Sequence, residues 1–362
     1  MKGSIRKILS SFYEIFFLKK GNVILCKKNN LLKGEYDMAY ILLILGFALL
    51  IKGADWFVDG SSNIAALLRV SPLLIGLTIV AFGTSSPELT VSIIAALEGS
   101  ADVSLGNVVG SNIFNITLVV GMAAFLFPLK VQNETIKKEI PFTLVSTAAL
   151  LIVMSDIFLQ GSSNNLITRG DGLILLLFFG IFMIYVFEIA LKDREASKEA
   201  SREDTGKTSE SEGGTWGKNI LISVIGLAAI IIGGEMVVSN ATEIAYSLGM
   251  SETLVGLTIV AIGTSLPELV TSVSAALKKQ SEIALGNIVG SNIFNILLVL
   301  GGSAFITPLA FDGKVFIDLF IMVILTLLLL VFSRTNYKIG KREGLILALA
   351  YVVYLIYIII RN

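Results

Sequence analysis

Apolar runs of about twenty residues, the length a helix needs to cross a bilayer core of about 30 Å, follow one another along this chain with only short polar breaks. They predict helices over 38–57, 72–97, 103–127, 140–159 and 171–191, and again over 218–238, 252–277, 283–306, 315–333 and 343–360. The expected fold class is an all-α polytopic membrane protein with ten transmembrane helices. Residues 192–217 interrupt the series. They are rich in Ser, Glu, Lys and Gly and carry nothing that builds a core. They read as a hydrophilic linker between a first five-helix repeat, 38–191, and a second, 218–362.

The halves are copies. A slide of 180 residues, which lays residue 76 on residue 256, superposes 76–129 on 256–309 without a gap and with more than half the positions identical. Five helices is an odd number, so the second copy must enter the membrane from the opposite side. The repeats are therefore of inverted topology, with a substrate site expected near the midplane where they meet. Outside residues 1–37, the opposite ends differ in charge. The loops after the odd-numbered helices hold Lys130, Lys137, Lys138, Lys278, Lys279, Lys341 and Arg342, whereas the other side holds Arg169, Lys314 and Arg361. Cytoplasmic loops carry the basic excess. Both ends of the ten-helix core should face outward from the cell membrane, with the linker cytoplasmic.

Residues 1–37 fit this orientation poorly. They carry eight Lys or Arg around an apolar patch at 12–18 that is too short to span. We read Met38 as the natural start and the preceding residues as an extension without a role in transport; a membrane-surface or targeting segment is the alternative.

Charged residues make up 15% of the chain, against about 25% in soluble proteins, and the formal net charge is zero, so nothing points to nucleic acid. There is no histidine, and Cys26 is the single cysteine, which excludes imidazole or thiolate metal sites and a disulfide within the chain. A bound metal must use oxygen ligands, as hard cations do. No Ser has a His partner, so an enzyme reading finds no support. No cofactor and no obligate protein partner is expected; the partners are ions and the bilayer.

Two stretches place charge where it is costly. Gly83-Thr84-Ser85-Ser86-Pro87-Glu88 and Gly263-Thr264-Ser265-Leu266-Pro267-Glu268 sit inside apolar runs, where a charged side chain costs about 2.5–3.5 kcal/mol even on lenient insertion scales. Ala81, Thr84, Ser85 and Glu88 fall on one helical stripe, as do Ala261, Thr264, Ser265 and Glu268. Each proline should break its helix and free carbonyls over 81–84 and their copies. The third and eighth helices add Ser111 with Asn115 and Ser291 with Asn295, each pair i and i+4 on one face. These four are expected to face a cation opposite the glutamates, whereas Asn107, Asn112, Asn287 and Asn292 are expected to bond between helices. Paired carboxylates repel when alone, and a divalent cation cancels both. Calcium fits, because it tolerates six to eight oxygens in flexible geometry. Asp55 and Glu235, equivalent by the same slide, are read as interfacial positions.

With its paired Gly-Thr-Ser-x-Pro-Glu segments at 83 and 263, and paired Gly-Asn-x-Val-Gly-Ser-Asn-Ile-Phe-Asn segments at 106 and 286, the chain resembles the calcium/cation antiporter superfamily, in particular the prokaryotic sodium/calcium exchangers. The resemblance covers Met38 to the C-terminus. It implies calcium held by the carboxylates of Glu88 and Glu268 and the carbonyls of Thr84 and Thr264. It further implies one sodium position at Glu88, the Ala261 carbonyl, Thr264, Ser265 and Ser291, and another at Glu268, the Ala81 carbonyl, Thr84, Ser85 and Ser111, with Asn115 and Asn295 central. Some relatives carry Asp at one of these two Asn positions; both are Asn here. The implied activity is exchange of sodium for calcium by alternating access, normally exporting calcium. A proton/calcium or potassium-dependent sodium/calcium antiporter is the near alternative. A calcium-permeable channel is the alternative of a different class, and inverted repeats favour a transporter over it.

Overall fold

A computed structural model describes residues 32–155, 165–203, 216–250, 259, 261–311 and 313–361. The apolar patch at 12–18, the end of the fourth predicted helix, residues 204–215 of the linker and the start of the seventh predicted helix lie outside the described residues.

The described residues are mainly helical, with two short strand pairs among them. Helix α1 (Leu32–Leu68) is followed by α2 (Pro72–Ile75), a π-helical turn (Gly76–Val80), α3 (Ala81–Thr84) and α4 (Ser86–Leu97). Next come α5 (Ala101–Phe114), a π turn (Asn115–Val119) and α6 (Val120–Leu126), then a π turn (Thr135–Glu139) and α7 (Ile140–Met154). Helices α8 (Arg169–Glu203) and α9 (Trp216–Ser247) flank the linker. The remainder comprises α10 (Ala261–Gly263), α11 (Leu266–Leu277), α12 (Ser281–Phe294), a π turn (Asn295–Leu300), α13 (Gly301–Ile306), α14 (Val315–Arg334) and α15 (Lys341–Arg361).

Among the described residues seven helices are long and apolar enough to cross a membrane. An eighth is added if Pro72–Thr84 and Ser86–Leu97, bent by 46° at their junction, count as one span. Several helices outrun their apolar stretches. Helix α1 continues beyond the expected end at 57 because its polar side chains find partners: Asp55 and Asp59 meet Lys278, and Asn63 donates to Asn219. Helix α8 likewise runs to Glu203, inside the segment read as a linker.

Helices α1 and α9 pack antiparallel through facing glycines. A Cβ at Gly53 would lie 2.8 Å from the Gly226 carbonyl, and one at Gly233 would lie 2.8 Å from the Gly46 carbonyl. Small residues are what let membrane helices approach this closely. The spans containing α5 and α12 are the most buried and those of α8 and α15 the least, so the repeated Asn/Ser segments occupy the core. Strands β1 (Leu129–Lys130) and β2 (Leu166–Ile167) pair antiparallel with β4 (Lys338–Ile339) and β3 (Leu309–Ala310) respectively, tying loops of the first half to loops of the second.

Candidate functional site

Each glutamate sits in the first turn of a helix that follows a break. Helix α3 ends at Thr84, Ser85 leaves helical geometry at φ −82°, ψ 6°, and α4 restarts at Ser86 with Pro87 and Glu88 in its first turn. The copy breaks at Ser265 (φ −94°, ψ 6°), with Pro267 and Glu268 opening α11. The sequence reading has each proline break its helix where the ring crowds the carbonyl four residues back, at Gly83 in the first copy. The break falls at Ser85, between the two, and leaves Pro87 in a first turn, where it lacks only an N–H that would have no helical partner. The freeing of carbonyls is also narrower than expected: the Ser85 N–H bonds the Ala81 carbonyl at 3.0 Å, and the Ser86 hydroxyl bonds that of Gly83 at 2.6 Å. Thr84 closes α3, among the carbonyls a helix end leaves unpaired. Ala261 opens α10 and Thr264 follows its last residue. The helix starts place partial positive charge beside each carboxylate.

Glu88 and Glu268 are fully buried. Ser265 donates to Glu88 Oε1 at 3.1 Å, and Ser85 donates to Glu268 Oε1 at 3.0 Å, so each carboxylate is held by the serine of the other break. Ser111 Oγ stands 2.9 Å from Ser265 Oγ; Ser291 Oγ stands 3.5 Å from both Glu268 Oε1 and Thr84 Oγ1. This grouping sets Ser111 with Glu88 and Ser291 with Glu268, the reverse of the division the resemblance implies. The cause is local. Asn107 donates to Ser92 at 2.9 Å and to the Glu88 carbonyl at 3.2 Å, fastening α5 to α4, and Ser111 lies one turn further on. Asn287 makes the matching bond to Ser272 at 2.9 Å.

Asn107 and Asn287 thus bond between helices, as their sequence reading has it, and they do more. Thr264 donates to Asn107 Oδ1 at 3.2 Å and Thr84 to Asn287 Oδ1 at 3.0 Å, so each amide aligns the threonine of the opposite half. The sequence reading missed this role, although the 180-residue equivalence of both trios carried the signal.

Several buried oxygens at this centre have no hydrogen-bond partner among the described residues: Glu88 Oε2, Glu268 Oε2, Asn115 Oδ1 and Asn295 Oδ1. Asn295 Nδ2 reaches Asn112 Oδ1 at 3.5 Å. Asn112 Nδ2 and Asn115 Nδ2 are likewise unpartnered among the described residues. Buried polar atoms are nearly always paired, and the two bare carboxylate oxygens suit a cation. The crossed serines bring the two carboxylates to one centre. Among the described residues no three His, Cys, Asp or Glu cluster together, so hydroxyl, amide and carbonyl oxygens must complete any coordination shell.

The centre is reached from one side. A cavity of about 860 Å³ opens beside Glu98, Asp102 and Lys314 and is lined down to Ser111 and Thr264. On its wall a Cβ at Gly106 or Gly110 would meet no atom within 4 Å. Their equivalents on the other side are covered: a Cβ at Gly286 would lie 2.6 Å from the Leu73 carbonyl, and one at Gly290 would lie 2.7 Å from Ala81 Cβ. On that closed side Lys278 also bridges α11 to α1, 2.7 Å from Asp59 Oδ1 and 2.8 Å from the Asp55 carbonyl. Asp55 is therefore part of a closure, and Glu235 lines the open cavity; the sequence reading took both as plain interfacial positions.

The sodium/calcium exchanger protein family matches residues 38–188 and 218–360 of this chain. A putative antiporter, CaxA, from Alkalimonas amylolytica is 41% identical over 327 residues, covering 88% of this chain and 97% of the relative. The sodium/calcium exchanger MaX1 from Methanosarcina acetivorans is 36% identical over 341 residues, covering 88% and 97%. Among solved structures, the sodium-calcium exchanger NCX_Mj soaked with 2.5 mM Na+ and 0.1 mM Ca2+ superposes with a TM-score of 0.72 at 31% identity, covering 87% of this chain and 97% of that one. With matches along nearly the whole of both repeats, this multi-pass membrane protein belongs to the sodium/calcium exchanger family.

Proposed function

We propose that this chain exchanges sodium for calcium by alternating access, through ten spans arranged as two inverted five-helix repeats, 38–191 and 218–362. The observation that carries the reading is the pair of buried glutamates, each braced by a serine of the opposite break and each with one oxygen unbonded. Calcium takes the carboxylates of Glu88 and Glu268 with the carbonyls of Thr84 and Thr264. Sodium takes flanking positions built from the same glutamates with Ser85, Ser111, Ser265, Ser291, both threonines and the carbonyls of Ala81 and Ala261, while Asn115 and Asn295 face the centre. Sharing the glutamates makes the two ions compete. The relative named a sodium/calcium exchanger and the structure soaked with both ions support this choice.

One-sided access supports alternation: the inverse arrangement would cover Gly106 and Gly110 and uncover Gly286 and Gly290. A site filled by calcium, or by its full set of sodium ions, has its charge offset and can cross; a partly filled site stays charged and stalls. In the orientation set by the basic loops, the open cavity is extracellular, the linker cytoplasmic, and inward sodium drives calcium out of the cell. Calcium uptake into proteoliposomes tests this. Flux should follow an imposed sodium gradient, and flux that follows a pH gradient and ignores sodium would overturn the reading in favour of proton exchange.

A further inference from the structure

A second cavity, of about 850 Å³, lies at the opposite face from the first and is lined by Ser71, Gln132, Glu134, Glu139, Tyr185 and Ile189, among others. Glu139 is fully buried, yet only one of its oxygens is bonded. The Tyr185 hydroxyl donates to Oε1, while Oε2 has no partner, and neither has the buried hydroxyl of Thr135, one turn away on the same helical face. A buried carboxylate with one oxygen unpaired costs free energy when it is ionised.

The repeat explains what is missing. Glu139 opens the fourth helix of the first half as Asp318 opens that of the second, and Asp318 is also largely buried. Asp318, however, is neutralised from within the chain: Arg361 Nη1 lies 2.9 Å from its Oδ1 and 3.0 Å from its Oδ2. Aligning Gly-Leu-Ile-Leu at 172–175 with Gly-Leu-Ile-Leu at 344–347 lays Tyr185 on Tyr357 and Ile189 on Arg361. In the second half Tyr357 accepts from Arg361 at 3.4 Å, whereas Tyr185 donates directly to Glu139, which has an apolar side chain where its counterpart has the guanidinium. Lys138 does not fill the role. Its ammonium sits 5.7 Å from the centroid of the Tyr185 ring, and Glu139 makes no ion pair among the described residues. Along the rim Glu188 pairs with Lys192 at 2.9 Å, and Asp193 accepts the Ser71 N–H at 2.8 Å, so those carboxylates are already engaged.

We infer that this cavity holds a monovalent cation, sodium or potassium, between Glu139 Oε2 and the Thr135 hydroxyl, separate from the transport centre and on its closed side. At the position between Glu139 Oε2 and the neutral Thr135 hydroxyl, Glu139 offers a single negative charge, as Asp318 offers one to the guanidinium of Arg361. The bound cation would stand at the carboxylate of the fourth helix where the other half has its guanidinium.

The test uses the full chain in detergent with the central carboxylates removed, Glu88→Gln with Glu268→Gln, so that transport sites do not contribute and failure of the exchange mechanism leaves the result readable. Radioactive sodium binding, with potassium as a competitor in a second arm, should show a saturable component. Glu139→Gln should abolish it, and Tyr185→Phe, which removes the hydrogen bond orienting the carboxylate, should weaken it about tenfold. Ile189→Arg, which supplies the missing guanidinium, should also abolish it with Glu139 intact; elution as a single monodisperse species checks that each variant is folded. Absence of sodium and potassium binding in the central-site background, or binding that survives both Glu139→Gln and Ile189→Arg, overturns the inference.

Discussion

Lys278 Nζ lies 2.7 Å from Asp59 Oδ1, and the positions equivalent to this pair on the other face of the protein are Glu98 and Ser239. The repeat is thus broken where closure is decided. The closed face carries an ion pair, supported by Ser274 donating to Asp55 at 2.8 Å, whereas the open face carries Glu98 and Glu235 along its cavity and no basic residue equivalent to Lys278. Such a difference favours the state open along the Glu98 face. Lys278→Gln should relax that bias. The pair is partly exposed, with 26% of the lysine side chain and 55% of the aspartate accessible, so its loss is worth at most about 1 kcal/mol, roughly a fivefold population shift. The apparent affinity for calcium on the cytoplasmic side, measured in oriented vesicles, should rise by up to that factor; a fall would contradict the closure role.

The serines that cross between the breaks separate the two ions. Ser85→Ala and Ser265→Ala each remove a hydroxyl bonded to a buried carboxylate, an interaction worth about 1.5–3 kcal/mol. In the proposed site these hydroxyls serve sodium and not calcium. The sodium concentration for half-maximal exchange should rise about tenfold or more, with calcium affinity changed much less. Equal losses for both ions, measured by competition of sodium against calcium binding, would remove the serines from the sodium positions.

Glycines on the two faces should respond differently to the same substitution. Gly290→Ala forces a Cβ to within 2.7 Å of Ala81 Cβ and 2.8 Å of the Leu77 carbonyl, overpacking that costs about 1–3 kcal/mol. Gly110→Ala meets no atom within 4 Å. The thermal midpoint should therefore fall for Gly290→Ala and hold for Gly110→Ala. If the two faces exchange roles during transport, Gly110→Ala should nonetheless slow exchange by obstructing the inward-facing state. Full transport rates in Gly110→Ala would argue against that exchange.

Much of this was legible in the sequence, and the limits are physical. The gapless repeat announces two matched carboxylates in lipid, and the Thr, Ser and Asn residues that accompany them are the ones that gather around Glu88 and Glu268. The helical stripe by itself sets Ser85 beside Glu88, three residues away; Ser85 bonds Glu268, the carboxylate with which the resemblance groups it, because the break turns the end of α3 away from the start of α4. The placement of Ser111 beside Ser265 and of Ser291 beside Glu268 was not legible. The extent of α1 was hidden because Asp55, Asp59 and Asn63 look like a helix end until their partners Lys278 and Asn219 are in place. The closure of one face was hidden for a related reason. A sequence repeat displays what the halves share, whereas the state of the molecule is set by where they differ, as at Lys278 against Glu98.

Charge movement offers a check on stoichiometry. Three sodium ions per calcium, the ratio the resemblance implies, would carry one net charge per cycle, worth about 2.3 kcal/mol per 100 mV. That is about a fiftyfold change in the equilibrium calcium gradient for each 100 mV. Proteoliposomes with the potential clamped by potassium and valinomycin measure it directly, and a gradient indifferent to potential would require two sodium ions per calcium.

The central claim is that Glu88 and Glu268 jointly hold the exchanged calcium. Its most direct test is sodium-gradient-driven calcium uptake into proteoliposomes by the native chain and by Glu88→Gln and Glu268→Gln, each checked for monodispersity. The predicted result is uptake by the native chain and none by either variant; sustained sodium-driven uptake in either would contradict the claim.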